Sequence, residues 1–383
     1  MEPFKLAPTP VTLPEYFAFK EFTPKNPEQG VRYFHSVIKP WRPFSSPGTF
    51  GGFCLSQGAL CAAYTCPKGF VVHNQHSYFL LPGRWDVPFL WRVESVRDGR
   101  SYCTREVKAY QPDLGFEFPE SPYQQPSDFD FTDPASKKWL AYTAHSSIKL
   151  PHKDTMFHEK KLRQDFFAKN VPGGAEGHDL APDIDIPMWV DWSKDPANGY
   201  KLEPHPIEMR KVDMDKVLPA VNKGKDVAER RQLYFFRVPY KLPDDMNYHV
   251  AAMLYLSDRN SLFTCMNLRD KVPTLARLAS LDHQFTMHDM HSRVDEGWMP
   301  METWTDWAGD CRGQYQGRLF TDEGKLVCTF MQDGLIRTVE EDHDDDDDKK
   351  EDDKADNTTR QVPRRRKKKT PAQNLFLKFK AVL

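Results

Sequence analysis

Cysteine is scarce in this sequence: seven in 383 residues, an odd number with no Cys-x-x-Cys pair. That excludes a disulfide framework and a zinc site built on cysteines, and it fits free thiols in a reducing compartment. Long hydrophobic runs are missing too. None approaches the roughly 18 apolar residues that a membrane-spanning helix needs, so no span is expected. Residues 1–12 lack the basic-then-apolar pattern of a secretory leader, which points to an intracellular protein. No charge sign dominates: 53 Lys and Arg stand against 55 Asp and Glu, a net charge of −2. This excludes a uniformly basic nucleic-acid coat and a wholly acidic disordered chain. Also absent are a Walker loop, a dinucleotide fingerprint in strand–helix context and a Gly-x-Ser-x-Gly elbow. What remains is 39% hydrophobic residues with 26 Phe and 9 Trp, the composition of an aromatic-rich globular core. The 31 Pro favour strands and turns over a helical bundle.

The balance of charge hides two blocks. Residues 340–356 are mostly acidic, with Asp344-Asp345-Asp346-Asp347-Asp348 unbroken, and Arg364-Arg365-Arg366-Lys367-Lys368-Lys369 follows. Like charges in blocks repel and bury no apolar surface, so the tail 340–383 reads as disordered. It holds 12 acidic and 12 basic residues, which leaves the net −2 to the rest of the chain. A second low-order stretch, 119–206, is rich in Pro, Asp, Ser and Gly around a polar helical segment near 155–169. It reads as a long linker with some structure of its own, separating two folded halves. The organisation expected is a 1–30 lead-in, a folded half 31–120, a linker 121–205, a second folded half 206–339 and the tail.

The halves repeat one order of elements. Gly51 to Ala63 is a helix candidate apolar nearly all round, followed by strand-like runs at 74–79, 89–94 and 101–109. The segment 249–256 is again apolar on most sides and precedes runs at 282–285, 317–320 and 326–330. His76 and His283 occupy comparable contexts, a sign of internal duplication. A helix apolar all round must be buried on all sides. One such helix followed by antiparallel strands suggests a sheet wrapped around it, twice over, with a cleft at the junction.

Several residues carry possible chemistry. Asp258 closes the second helix candidate, where a carboxylate is costly unless hydrogen-bonded or used; by position alone it reads as a surface Asp. Ser280 stands near His283, and Gln332 has an amide able to orient a water. The bland readings are a strand serine and a polar residue ending an edge strand. His283, His288 and His291 match no common zinc spacing. The pair Gly51-Gly52 at a helix start lets backbone N–H groups face a substrate oxygen, or serves close packing only.

The motifs taken together are sharper. Gly48-Thr49-Phe50-Gly51-Gly52 with Gln57, His76-Ser77-Tyr78-Phe79-Leu80-Leu81-Pro82-Gly83 and Arg97-Asp98-Gly99-Arg100-Ser101 mark the first half. Leu254-Tyr255-Leu256-Ser257-Asp258, Ala279-Ser280-Leu281-Asp282-His283, Arg312-Gly313 and Gln332-Asp333-Gly334-Leu335-Ile336-Arg337 mark the second. In these the chain resembles the acyl-CoA thioesterase II family, in both halves and in the right order. The resemblance implies an α+β double hotdog, two antiparallel sheets each wrapped around a central helix. It implies hydrolysis of fatty acyl-CoA to free fatty acid and CoA, with Asp258, Ser280 and Gln332 as the catalytic set and no cofactor or metal. Gly51 and Gly52 become candidate oxyanion donors. A homo-oligomer is left open, and nucleic acid is not an expected partner. Phe53 replaces the Gln that often follows the glycine pair, and 287–298 carries extra residues beside the site; both bear on substrate length. Peroxisomal residence is implied by family only, since the chain ends Ala381-Val382-Leu383 rather than Ser-Lys-Leu.

Two other classes compete. A hotdog hydratase or dehydratase pairs an Asp with a His in one short motif, whereas Asp258 is followed by Arg259-Asn260-Ser261-Leu262. A non-enzymatic module would use the basic cluster 364–369 for nuclear import or nucleic acid, and the adjacent acidic block competes for that cluster.

Overall fold

The computed structural model describes residues 12–38, 40, 48–112, 126–199 and 205–339; the tail 340–383 lies outside them. Two long helices, Gly51–Tyr64 and Met246–Asp258, sit where the apolar segments predict them. Each is apolar all round because it is enclosed all round. Phe53, Leu55, Cys61 and Ala62 are fully buried in the first, and Val250 to Leu256 in the second. The helices pack against each other, and the first also packs on the strands of its own half. Its one long polar residue is tied down: Gln57 accepts from Ser36 and Trp91 and donates to the carbonyls of Phe17 and Ala18.

The strands are β1 (Phe19–Phe22), β2 (Val31–Ser36), β3 (Val71–Phe79), β4 (Leu90–Asp98), β5 (Tyr102–Tyr110), β6 (Leu140–Lys149), β7 (Glu208–Lys211), β8 (Gln232–Arg237), β9 (Leu275–Ser280), β10 (Asp282–Met287), β11 (Met299–Gly309), β12 (Arg312–Phe320) and β13 (Leu326–Thr338). They form one antiparallel sheet in the order β1-β2-β4-β5-β6-β3-β10-β13-β12-β11-β8-β7, with β9 on β13. Strands such as β5 and β12 alternate buried and half-exposed residues, the period of a sheet with one covered face.

Read from either edge inward, the order is the same, β1-β2-β4-β5-β6-β3 against β7-β8-β11-β12-β13-β10. The duplication is therefore real at the level of topology. The two sheets expected are joined into one by the pairing of β3 with β10, where Ser77 lies opposite His283 and His76 opposite Gln284.

Two readings of the segment 121–205 need correction. It holds β6, which pairs with both β5 and β3 in the middle of the first half. The polar helical segment near 155–169 has only two short 3-10 turns, Gln164–Phe166 and Ala168–Asn170. Leu162 and Phe166 instead pack with Val212, Leu233, Phe235 and Phe320; burying them outweighs the weak preference of a short polar stretch for helix. Further on, Ile184, Ile186 and Trp189 pack against Phe263, Met266 and Leu275. The stretch thus belongs to the folded body.

Candidate active site

The second long helix begins at the N-cap Asp245, whose side chain accepts from the backbone of Asn247 at 2.9 Å. It ends on Asp258, after which Asn260 adopts a positive φ of 57°, a conformation that Asn tolerates. The turn leaves Asp258 buried, 7% exposed, rather than at the surface.

Its carboxylate is satisfied from three sides. Oδ2 accepts the backbone N–H of Gly52 at 2.7 Å, and Oδ1 accepts Nε2 of Gln332 at 2.8 Å. The hydroxyl of Ser261 stands 3.5 Å from Oδ1. Burial pushes the carboxyl up to about 6, and the bonds from Gln332, Gly52 and Ser261 pull the other way without cancelling it.

Gln332 also donates Nε2 to the hydroxyl of Ser280 at 2.5 Å. The sheet brings these two together, because Ser280 at the end of β9 pairs with Gly334 on β13, two residues beyond Gln332. A Cβ at Gly334 would meet the end of the Leu262 side chain at 2.2 Å and the carbonyl of Ala279 at 3.0 Å, so a larger residue here would have to displace Leu262. Asp258, Ser280 and Gln332, from a helix end and two strands, are therefore in one hydrogen-bonded group. Gln332 is fully buried and Ser280 only partly. A carboxylate poised near neutrality beside a hydroxyl and an amide is equipped to take a proton from a bound water.

Gly51 and Gly52 lie at this group, but Gly52 spends its N–H on Asp258 rather than presenting it to a substrate oxygen. Both positions are tight. A Cβ at Gly51 would lie 2.9 Å from Oδ2 of Asp258, and one at Gly52 2.8 Å from the carbonyl of Tyr255. Of the three histidines weighed as ligands, His283 hydrogen-bonds Ser257 and His288 hydrogen-bonds Thr329.

A second layer was not visible in the sequence. Arg259, next to the carboxylate, contacts Nε2 of His205 and gives Nη2 to the carbonyl of Ala181 at 3.0 Å. The hydroxyl of Tyr255 is 3.2 Å from Nδ1 of His205. Burial, and then the cation of Arg259, push the His205 imidazole down to about 4, so it stays neutral. These contacts fasten the segment leading into β7 to the end of the catalytic helix candidate. The one signal the sequence holds for it is the adjacency of Arg259 to Asp258.

Sequence profiles described as the N-terminal and C-terminal domains of acyl-CoA thioesterase match residues 38–120 and 187–336. The chain is 28% identical over 302 residues to acyl-coenzyme A thioesterase 8 of Mus musculus, covering 78% of this chain and 82% of that one. It is 23% identical to the peroxisomal acyl-coenzyme A thioester hydrolase 1 of Saccharomyces cerevisiae, covering 79% and 90%. Among solved structures, an acyl-CoA thioesterase II from Mycobacterium marinum superposes with a TM-score of 0.55 at 23% identity, covering 85% and 97%. A hot dog protein of unknown function from Alicyclobacillus acidocaldarius gives 0.54 at 15%, covering 85% and 98%. The fold is thus of the hotdog type, the chain belongs to the acyl-CoA thioesterase II family, and it is a thioester hydrolase.

Proposed function

We propose that the protein hydrolyses fatty acyl-CoA to a free fatty acid and CoA, with Asp258 as general base for the attacking water. Ser280 and Gln332 hold that water in line with the thioester carbonyl. The observation that carries this reading is the Asp258–Gln332–Ser280 group, in which one amide bridges a buried carboxyl and a hydroxyl at 2.8 and 2.5 Å. No covalent acyl-enzyme is required, so Ser280 is a water-positioner.

Gly52 fits a different part from the one the sequence suggested. Its N–H fixes the carboxylate, and the donor to the developing oxyanion is then sought at Gly51 or on the substrate side of Ser280. Each half is read as one hotdog unit around its own long helix, the two joined at β3 and β10. Residence in the peroxisome is supported by the yeast relative's name alone.

The test is release of CoA thiol from acyl-CoAs of graded chain length. Turnover by the wild type no faster than by Asp258→Ala on every chain length would sink the proposal.

A further inference from the structure

Three buried polar atoms beside this group have no hydrogen-bond partner among the described residues: Nδ1 of His283, Oε1 of Gln332 and the hydroxyl of Tyr315. They belong to one row. Gln284 pairs with Met331, which makes His283 and Gln332 neighbours across β10 and β13. Gln332 is in turn paired with Tyr315 on β12. His283 and Gln332 are fully buried and Tyr315 is 1% exposed. One unpaired buried polar atom is a sizeable cost, and three in adjacent positions call for a shared partner.

The hydrogen inventory says what that partner must offer. Ser257 donates its hydroxyl to the carbonyl of Leu254 at 2.9 Å, which leaves only lone pairs toward Nε2 of His283, also at 2.9 Å. Nε2 therefore carries the ring proton and donates, and Nδ1 is a bare acceptor. Burial keeps the imidazole neutral, pushing it down to about 3. Gln332 has spent Nε2 on Asp258 and Ser280, so its remaining atom is an acceptor as well. Tyr315 supplies an O–H; burial holds it protonated, and the Asp258 charge acts in the same direction. Two acceptors and one donor complement one water, which donates twice and accepts once, and buried waters typically make about three such bonds.

We propose that His283, Gln332 and Tyr315 hold one buried water, distinct from the attacking one, and that His283 and Tyr315 are thereby positioning residues for the Gln332 amide. This rests on the reading of Asp258 and Gln332 given above. A donor fixed on Oε1 decides which way the amide faces. With it, Nε2 points at Asp258 and Ser280; without it, the amide is free to turn its oxygen toward the carboxylate, losing the bond to Asp258 and reversing the one to Ser280.

The test uses the full chain with Tyr315→Phe and His283→Gln, each alone and combined with Gln332→Ala, alongside Asp258→Asn. Tyr315→Phe removes one hydroxyl, and His283→Gln keeps a donor for Ser257 while moving the acceptor off the Nδ1 position. Each is expected to lower kcat by about ten- to a hundredfold, to move the acid limb of the pH profile upward and to lower Tm modestly by leaving buried neighbours unpaired. In the Gln332→Ala background neither should lower kcat further. Unchanged kcat and acid limb in both single variants, or equal losses with and without Gln332, would overturn the inference. Should either variant fold poorly, a high-resolution crystal structure of the wild type decides. Water density bonded to His283, Gln332 and Tyr315 supports the inference, and its absence refutes it. Asp258→Asn with wild-type turnover would refute the underlying reading instead, whereas a dead Asp258→Asn beside two silent variants refutes only this inference.

Discussion

Gly52 gives its backbone N–H to Oδ2 of Asp258 at 2.7 Å across 206 residues of sequence, so the start of one long helix closes on the end of the other. The carboxylate sits at the carbonyl end of its own helix, which disfavours negative charge, and at the N–H end of its neighbour, which favours it. Its charge state is thus a property of how the two halves dock.

That docking makes the glycine pair sensitive for reasons of space. A Cβ at Gly52 meets the backbone carbonyl of Tyr255 at 2.8 Å and the Phe50 ring at 2.5 Å. The ring can turn away, but the carbonyl cannot without moving its helix. Gly52→Ala is expected to cost roughly 1–3 kcal/mol, read as a lower Tm, and to reduce turnover by displacing the donor to Asp258. Gly51→Ala presses on Oδ2 and the Phe79 ring at 2.9 and 3.0 Å, so turnover should suffer more than stability. Thermal unfolding and thiol-release assays on the two variants separate the effects.

The helices were legible because a segment apolar on every side has nowhere to be but the interior, and the flanking strands show their period of two. β6 was not, for a physical reason. Its buried Ser146 is bonded to Gln75 and its Tyr142 to Ser77, so polar residues inside the sheet looked like loop composition. Asp258, Ser280 and Gln332 emerged from motif resemblance; spacing alone gave each a bland reading. Gly52 was read as an oxyanion donor, and nothing local in the sequence links its N–H to a carboxylate 206 residues away.

A general base works only when deprotonated. With burial holding Asp258 at about 6, kcat/KM should be flat above neutrality and fall tenfold per unit of pH below about 6. The titratable neighbours that sense Asp258, namely Cys54, Tyr255 and Tyr315, are all raised by burial and stay protonated through this range. A single limb is therefore expected. Gln332→Ala removes a bond that lowers the carboxyl and should shift that limb upward. A limb unmoved in Gln332→Ala would separate the amide from the base.

The same carboxyl should cost stability. Its folded value of about 6 lies above the 3.8 of an unperturbed Asp, so the folded state binds the proton more tightly than the unfolded state. Stability is then lost as pH rises from about 4 to 6 and stays lost above, by up to about 3 kcal/mol. Asp258→Asn, which carries no charge at any pH but sets an NH2 against the donor of Gly52 or Gln332, should be inactive, and its stability relative to wild type should rise from pH 4 to pH 8. Denaturant unfolding of both proteins at the two pH values measures it. A difference independent of pH would mean that the charge of Asp258 is not the source.

Two deletions distinguish structural chain from appendage. Removing Leu140–Lys149 takes away β6 and with it the ladders to both β5 and β3. The β3 strand is also the one that carries the second half through β10. Loss of β6 should therefore abolish cooperative unfolding of the whole molecule, seen as the disappearance of a sharp melting transition rather than as a lower Tm. A chain ending at Val339 keeps every strand found among the described residues and the Asp258–Gln332–Ser280 group. It should retain both turnover and Tm, whereas a protein that acts through its 364–369 cluster would lose its function with those residues.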